Sequence, residues 1–208
     1  TMPVDSNMLT PQTRVVVFDL DGTLYTKSHM VWHMLCAAPK DCLRMLAERK
    51  TRKNLRGQWL NSEETFYQTY FQTMATYFHA TPEELRSWYF DRYMPLMVNV
   101  IRTYYKPVEW LMPFVAACKK QDIRLVVLSD YGHTHEKLNA LNIDTNIFDW
   151  VISAPELGGL KPAPQLIEKV LEKMGVTPAE CVISGDREDT DGLLAQSVGA
   201  SFKLIQNS

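Results

Sequence analysis

Four apolar residues, Val15 to Phe18, run straight into Asp19-Leu-Asp21, and Gly22-Thr23 follow at once. This stretch, VVVFDLDGTLY, restricts the fold more than any other segment of the chain. An apolar run rich in β-branched residues, with no polar alternation, is the pattern of a strand buried on both faces. Such strands belong almost entirely to parallel sheets covered by helices. Two like charges crowded at the end of such a strand raise each other's pKa or call for a cation.

The pattern recurs. RVVVFDL (Arg14 to Leu20), IRLVVLSD (Ile123 to Asp130), WVIS (Trp150 to Ser153), CVISGD (Cys181 to Asp186) and SFKLI (Ser201 to Ile205) read as strands. VEWLMPFVAACKKQ, HEKLNALNI, PQLIEKVLEKMGV and TDGLLAQSVGA read as helices between them, the first with a kink expected at Pro113. Strands alternating with helices imply right-handed crossovers and an α/β fold, a Rossmann-like parallel sheet with helices on both faces. From Lys27 to Lys106 the character changes. Val and Ile become sparse, and Met, Trp, Tyr, Phe, Arg and Lys become common. Apolar residues recur there at helical spacing, as in Trp88, Phe90, Met94 and Met97 after the start signal TPEE. About four helices are expected, forming a small all-helical domain inserted after the first strand. The expected division is a core of residues 1–26 and 107–208 with an insert of residues 27–106.

In open parallel sheets, ligands sit at the carboxyl ends of the strands. The polar clusters fall at those ends: Asp19 and Asp21 after strand one, Ser129-Asp130 after strand two, Lys161-Pro162 in the loop after strand three, and Asp186 to Asp191 after strand four. Parallel topology brings these distant segments onto one rim. Several carboxylates with a hydroxyl and a lysine suit a hard divalent cation with oxygen ligands, such as magnesium. A carboxylate can also attack phosphorus, giving an aspartyl phosphate, while metal and lysine neutralise the phosphoryl oxygens. Taken singly, each cluster has an ordinary explanation: a turn at Asp-Gly, a helix cap at Ser129, acids at a helix N-terminus near Asp189. The set, in this order and at these positions, is poorly explained that way.

The set resembles the haloacid dehalogenase superfamily of phosphotransferases. DLDGT is similar to its first motif, Ser129 to its second, Lys161 to its third and GDREDTD to its fourth, and the helical insert matches the position of the family's cap. The resemblance implies that Asp19 is the nucleophile. It implies that Asp21 is the acid for the leaving alcohol and then the base for water. It makes Ser129 and Lys161 phosphoryl ligands. It places magnesium on the Asp19 carboxylate, the Asp21 carbonyl and Asp186, with Asp191 as support or a further metal contact. An acid at Asp21, which dehalogenases lack, favours phosphomonoester chemistry. The expected function is a magnesium-dependent phosphatase for a small phosphorylated metabolite. A sugar phosphomutase of the same fold is the alternative, and a non-catalytic binding protein a third reading. Many members carry Asn where this chain has Asp130, which leaves open whether Asp130 touches substrate.

Other features narrow the partners. The 208 residues carry a formal net charge of −2, which favours neither a basic nor an acidic macromolecule. RMLAERKTRKNLR (Arg44 to Arg56) holds six basic residues and one acid, read first as a solvated helix face. No stacking pattern supports nucleic acid. His29 with His33, and His133 with His135, lack further ligands at zinc spacing and read as surface or packing residues. Tyr25 reads equally as packing or as part of the site entrance. The four cysteines form no CxxC pair, no apolar run approaches the roughly 18 residues of a membrane span, and the first residues lack a signal-peptide pattern. A cytoplasmic protein is therefore expected.

Overall fold

The structure is a computed structural model and describes residues 8–207; the first seven residues of the stretch read for a signal peptide lie outside them. In chain order the elements are β1 (Val15–Phe18), α1 (Met30–Ala37), α2 (Cys42–Leu55), α3 (Glu63–Ala75), α4 (Pro82–Trp88) and α5 (Met94–Tyr104). There follow α6 (Leu111–Lys120), β2 (Arg124–Ser129), α7 (Thr134–Ala140), β3 (Trp150–Ser153), α8 (Ala154–Leu157), α9 (Pro164–Met174), β4 (Cys181–Gly185), α10 (Leu193–Val198) and β5 (Ser201–Leu204). The strands form one five-stranded sheet in the order β3-β2-β1-β4-β5. Every pairing is parallel, with Val15 opposite Arg124 on one side and Cys181 on the other.

The pleat sorts the central strand onto two cores. Val16 and Phe18 face the cluster that includes Phe114, Val115 and Leu138 of α6 and α7. Val15 and Val17 face the cluster that includes Ile167 and Val170 of α9 and Leu194 of α10. Phe18 packs edge-on against Phe114 at 5.8 Å between ring centroids. Burial of each such side chain contributes on the order of 1.5–3 kcal/mol. The chain builds the sheet outward from β1 through β2 to β3, then returns to the other side of β1 for β4 and β5. The order reverses between β1 and β4, so the crevice at their carboxyl ends is the position where a ligand is expected to bind.

Residues 30–104 are helical, as the composition predicts, in four rods: α1, α2, α3, and α4 with α5. The signal TPEE forms a full capping box: Thr81 Oγ1 accepts from Glu84 N at 3.2 Å, and the Glu84 carboxylate accepts from Thr81 N at 2.8 Å. A π turn at Tyr89–Tyr93 joins α4 to α5. Pro95, in the first turn of α5, has no N–H to donate, and the widened turn accommodates that loss. The helices do not keep a core to themselves. Phe66, Tyr70, Phe71 and Tyr89 belong to the same buried cluster as Phe18 and Leu138 of the sheet layer. The kink expected at Pro113 does not occur. The α6 helix starts at Leu111, which places Pro113 in the first turn, where a missing N–H costs no helical bond. Among the described residues, no helix is long and apolar enough to cross a membrane.

Candidate active site

Of the strand-end residues, Asp19, Asp21, Asp130, Lys161, Asp186 and Asp191 line one cavity of about 100 Å³, whereas Ser129 is fully buried behind them and is not part of its lining. Asp19 follows β1 directly, and its N–H donates to Ser184 O of β4 at 2.9 Å, which fixes it at the sheet's switch point. Gly22, at φ 97°, lets the chain leave the strand sharply; a Cβ there would strike the Asp186 carboxylate. Thr23 closes this turn by donating to Asp19 Oδ2 at 3.2 Å.

Lys161 is the centre of the charge pattern. Its buried ammonium donates to Asp19 Oδ1 at 2.8 Å, to Asp191 Oδ1 at 2.7 Å and to the Leu128 carbonyl at 3.2 Å. A second π turn, Glu188–Gly192, places Asp191 for this bond. Burial disfavours the charged Lys161, but Asp19 and Asp191 outweigh it and hold the ammonium well above its ordinary pKa. Burial likewise drives the Asp19 carboxyl up, against the pull of Lys161 and with Asp191 adding to it, to about 7.

Asp21 sits in a different environment. Its oxygens accept from Lys137 Nζ at 3.0 and 3.1 Å, from Ser129 Oγ at 3.3 Å and from the Tyr25 hydroxyl. Burial alone would raise it; Lys137 first and Tyr25 next reverse this and hold the carboxyl below its ordinary value. Tyr25 thus bonds the site acid as well as packing. Asp130 uses its side chain to accept from Lys161 N at 2.9 Å, while its carbonyl accepts from Arg52 at 2.6 Å. Its carboxylate therefore fixes the Lys161 loop, although the residue still borders the cavity.

Oxygen donors converge where a cation is expected. Carboxylate oxygens of Asp19, Asp186 and Asp191 lie within 4.8 Å of one another. Lys27 Nζ spans the Asp21 carbonyl at 3.0 Å and Asp186 Oδ2 at 2.8 Å, so these two oxygens already face a positive charge. The donor set is all oxygen and fits magnesium; the half-exposed Lys27 ammonium holds two of these oxygens in the structure and would have to withdraw for a cation to bind them. A larger groove of about 860 Å³, bordered by His29, His33, Tyr104 and Trp110, contains none of these carboxylates.

The family profile described as haloacid dehalogenase-like hydrolase matches residues 13–199. The chain belongs to that family. Among curated relatives, it is 28% identical over 185 residues to a phosphoglycolate phosphatase of Aquifex aeolicus, covering 84% of this chain and 76% of that one. It is 27% identical over 191 residues to a glyceraldehyde 3-phosphate phosphatase of Methanopyrus kandleri, covering 86% and 77%. The fold matches the crystal structure of a 2-haloacid dehalogenase from Pseudomonas syringae with a TM-score of 0.63 at 16% identity, covering 91% of this chain and 85% of that one.

The structure of this haloacid dehalogenase-like hydrolase adds residues that lie outside the four motifs. The basic run Arg44 to Arg56 is not merely a solvated face. Arg52 bonds Glu48 at 2.7 Å and stacks over the Tyr131 ring at 3.9 Å, and Arg56, which borders the cavity, pairs with Asp189 at 2.9 Å. His33 stacks on Tyr104 and His133 lies against Phe90, within the surface or packing roles read for these histidines. Lys137 carried a readable signal. With Thr134, Leu138 and Leu141 it lies on the buried stripe of its helix, an unusual place for a lysine.

Proposed function

We propose that this hydrolase is a magnesium-dependent phosphatase for a small phosphorylated metabolite, working through an aspartyl phosphate on Asp19. The observation that carries the reading is the pairing of two unlike carboxylates at one cavity. Asp19 is held by Lys161 alongside Asp191, and Asp21 is held by Lys137 and Tyr25. Environments that set two acids apart are the usual basis for distinct roles. The relatives named as phosphatases support the reaction class.

In the proposed cycle, an Asp19 oxygen attacks phosphorus, the ester P–O bond breaks, and the leaving oxygen takes a proton from Asp21. A phosphoryl dianion bound in the cavity raises the proton affinity of Asp21 and so equips it for this step. Water then attacks the phosphorus and gives its proton to Asp21. The bond to Asp19 breaks, and inorganic phosphate leaves. Lys161 neutralises the phosphoryl oxygens, while the Ser129 hydroxyl keeps its bond to Asp21 Oδ2 at 3.3 Å rather than acting as a phosphoryl ligand. Asp19, the Asp21 carbonyl and Asp186 would hold magnesium, with Asp191 supporting through Lys161. The cation supplies charge neutralisation at the transferring group. Residues 27–106 act as a cap, delivering Arg52 and Arg56 to the cavity rim.

A phosphate-ester panel that includes 2-phosphoglycolate, glyceraldehyde 3-phosphate and sugar phosphates tests the reading. Magnesium-dependent release of inorganic phosphate is expected, with turnover lost on chelation and restored by the metal. Isomerisation of a hexose 1-phosphate with a bisphosphate primer would replace the phosphatase by a mutase. Silence across the panel would leave a binding protein. Asp186→Ala is expected to raise the magnesium concentration needed for half-maximal turnover by about tenfold or more. An unchanged requirement would move the ligand elsewhere.

A further inference from the structure

Lys137 is the one fully buried lysine side chain among the described residues, at 0% exposure. It comes from the middle of α7, outside the loops that carry the four motifs. Removing an ammonium from water costs several kcal/mol unless a good partner answers it. Its ion-pair partner is Asp21, which it grips through both carboxylate oxygens at 3.0 and 3.1 Å. The Tyr131 ring lies 4.5 Å from the same ammonium and closes one side of the site.

The consequence for Asp21 is geometric. A carboxylate held at one oxygen can still rotate about its Cβ–Cγ bond. Lys137 holds both oxygens, while Tyr25 and Ser129 fix one each. Four hydrogen bonds from three directions leave one orientation, and that orientation borders the cavity. Alignment of an acid or base to within a fraction of an ångström is what positions a proton for transfer.

We propose that Lys137 is a positioning residue of the active site, a second lysine that fixes the Asp21 carboxylate for its work on the leaving group and on water. The inference rests on the phosphatase reading of Asp21 given above. Lys161 serves the phosphoryl group and the nucleophile; Lys137 serves the proton-transfer group from the opposite side. The two lysines divide the two site carboxylates between them.

A double-mutant cycle separates this role from a merely structural one. Initial rates would be measured with p-nitrophenyl phosphate and β-glycerophosphate for the wild type, Lys137→Met, Asp21→Asn and the double variant. Lys137→Met is expected to lower kcat by about ten- to a hundredfold, the range for partners that orient a site group, with KM changed far less. On the Asp21→Asn background the same change is expected to cost nothing further. Lys137→Gln, of similar length with one donor group kept, is expected to recover part of the loss and serves where Lys137→Met does not fold. Multiplying losses in the double variant, or a loss confined to KM, would overturn the proposal while leaving the phosphatase reading intact. Wild-type protein that hydrolyses neither ester, or an Asp21→Asn variant as active as wild type, would instead refute the reading beneath it.

Discussion

Asp19→Asn is expected to abolish turnover while leaving the fold in place. The amide has nearly the shape of the carboxylate but no anionic oxygen able to attack phosphorus and form the acyl phosphate. Removing a covalent nucleophile costs on the order of a thousandfold or more in kcat. The structural cost is small because the charge pattern around Asp19 has a reserve. Lys161 keeps Asp191 at 2.7 Å and the Leu128 carbonyl at 3.2 Å, and Thr23 can still bond the amide. The buried Asp19 carboxyl is already raised to about 7, so neutralising it relieves a desolvation cost as well as losing an ion pair. Phosphate release under saturating magnesium, beside a thermal melt, checks both halves. Residual activity within about tenfold of wild type would exclude Asp19 as the nucleophile.

The sheet was legible in the sequence because a strand buried on both faces has nowhere to hide a polar residue. VVVF, LVVL and CVIS are apolar at both odd and even positions, and all three occupy the three central places of the sheet. The edge strand β5 is polar and half exposed, and only its place in the alternation identified it. The insert was legible as helical but not in its packing. Amphipathic spacing says that a face is buried; it does not say against what. Phe66, Tyr70 and Tyr89 could have formed a private bundle core, yet they join the cluster of Phe18 and Leu138. Pro113 misled because its effect depends on whether it falls in a first turn or later, and a helix start is set by the preceding chain.

The site was legible where topology alone assembles it. Asp19 and Asp186 follow strands directly and Ser129 ends one, and parallel pairing puts such positions side by side. What stayed hidden came from elements whose direction the sequence does not give. The helical spacing marks Lys137 as buried but not that it reaches Asp21; Lys27 reaches Asp186 from the insert's first residues, and Arg52 reaches the Asp130 carbonyl across 78 positions. Asp130 shows the same limit in reverse. A carboxylate beside a phosphate site looks repulsive, and it is resolved by the Lys161 N–H that it accepts, a bond set by the loop's path.

That loop also depends on a close backbone approach, and Gly158→Ala is the substitution expected to expose it. Residues 57–60 and 158–161 lie side by side. Leu60 N donates to Gly158 O at 2.7 Å, Leu160 N to Gln58 O at 3.2 Å, and Gly57 N to Lys161 O at 3.2 Å. The insert's backbone therefore supports the segment that presents Lys161 to Asp19. Gly158 holds φ 103°, where a side chain is strained, and a Cβ there would lie 2.5 Å from Ser62 N and 2.8 Å from Asn61 C. Both obstacles are backbone, so no rotamer relieves them. The strained conformation alone costs about 1–3 kcal/mol. Displacing the neighbouring segment, residues 57–62, adds the loss of its hydrogen bonds, each about 1 kcal/mol net. A loss of about 3 kcal/mol in unfolding free energy is expected from denaturant titration, with kcat falling as well because Lys161 moves with the loop. A variant of wild-type stability and activity would mean that the insert does not press on this loop in solution, and that the backbone bonds between residues 57–60 and 158–161 contribute little to placing the lysine.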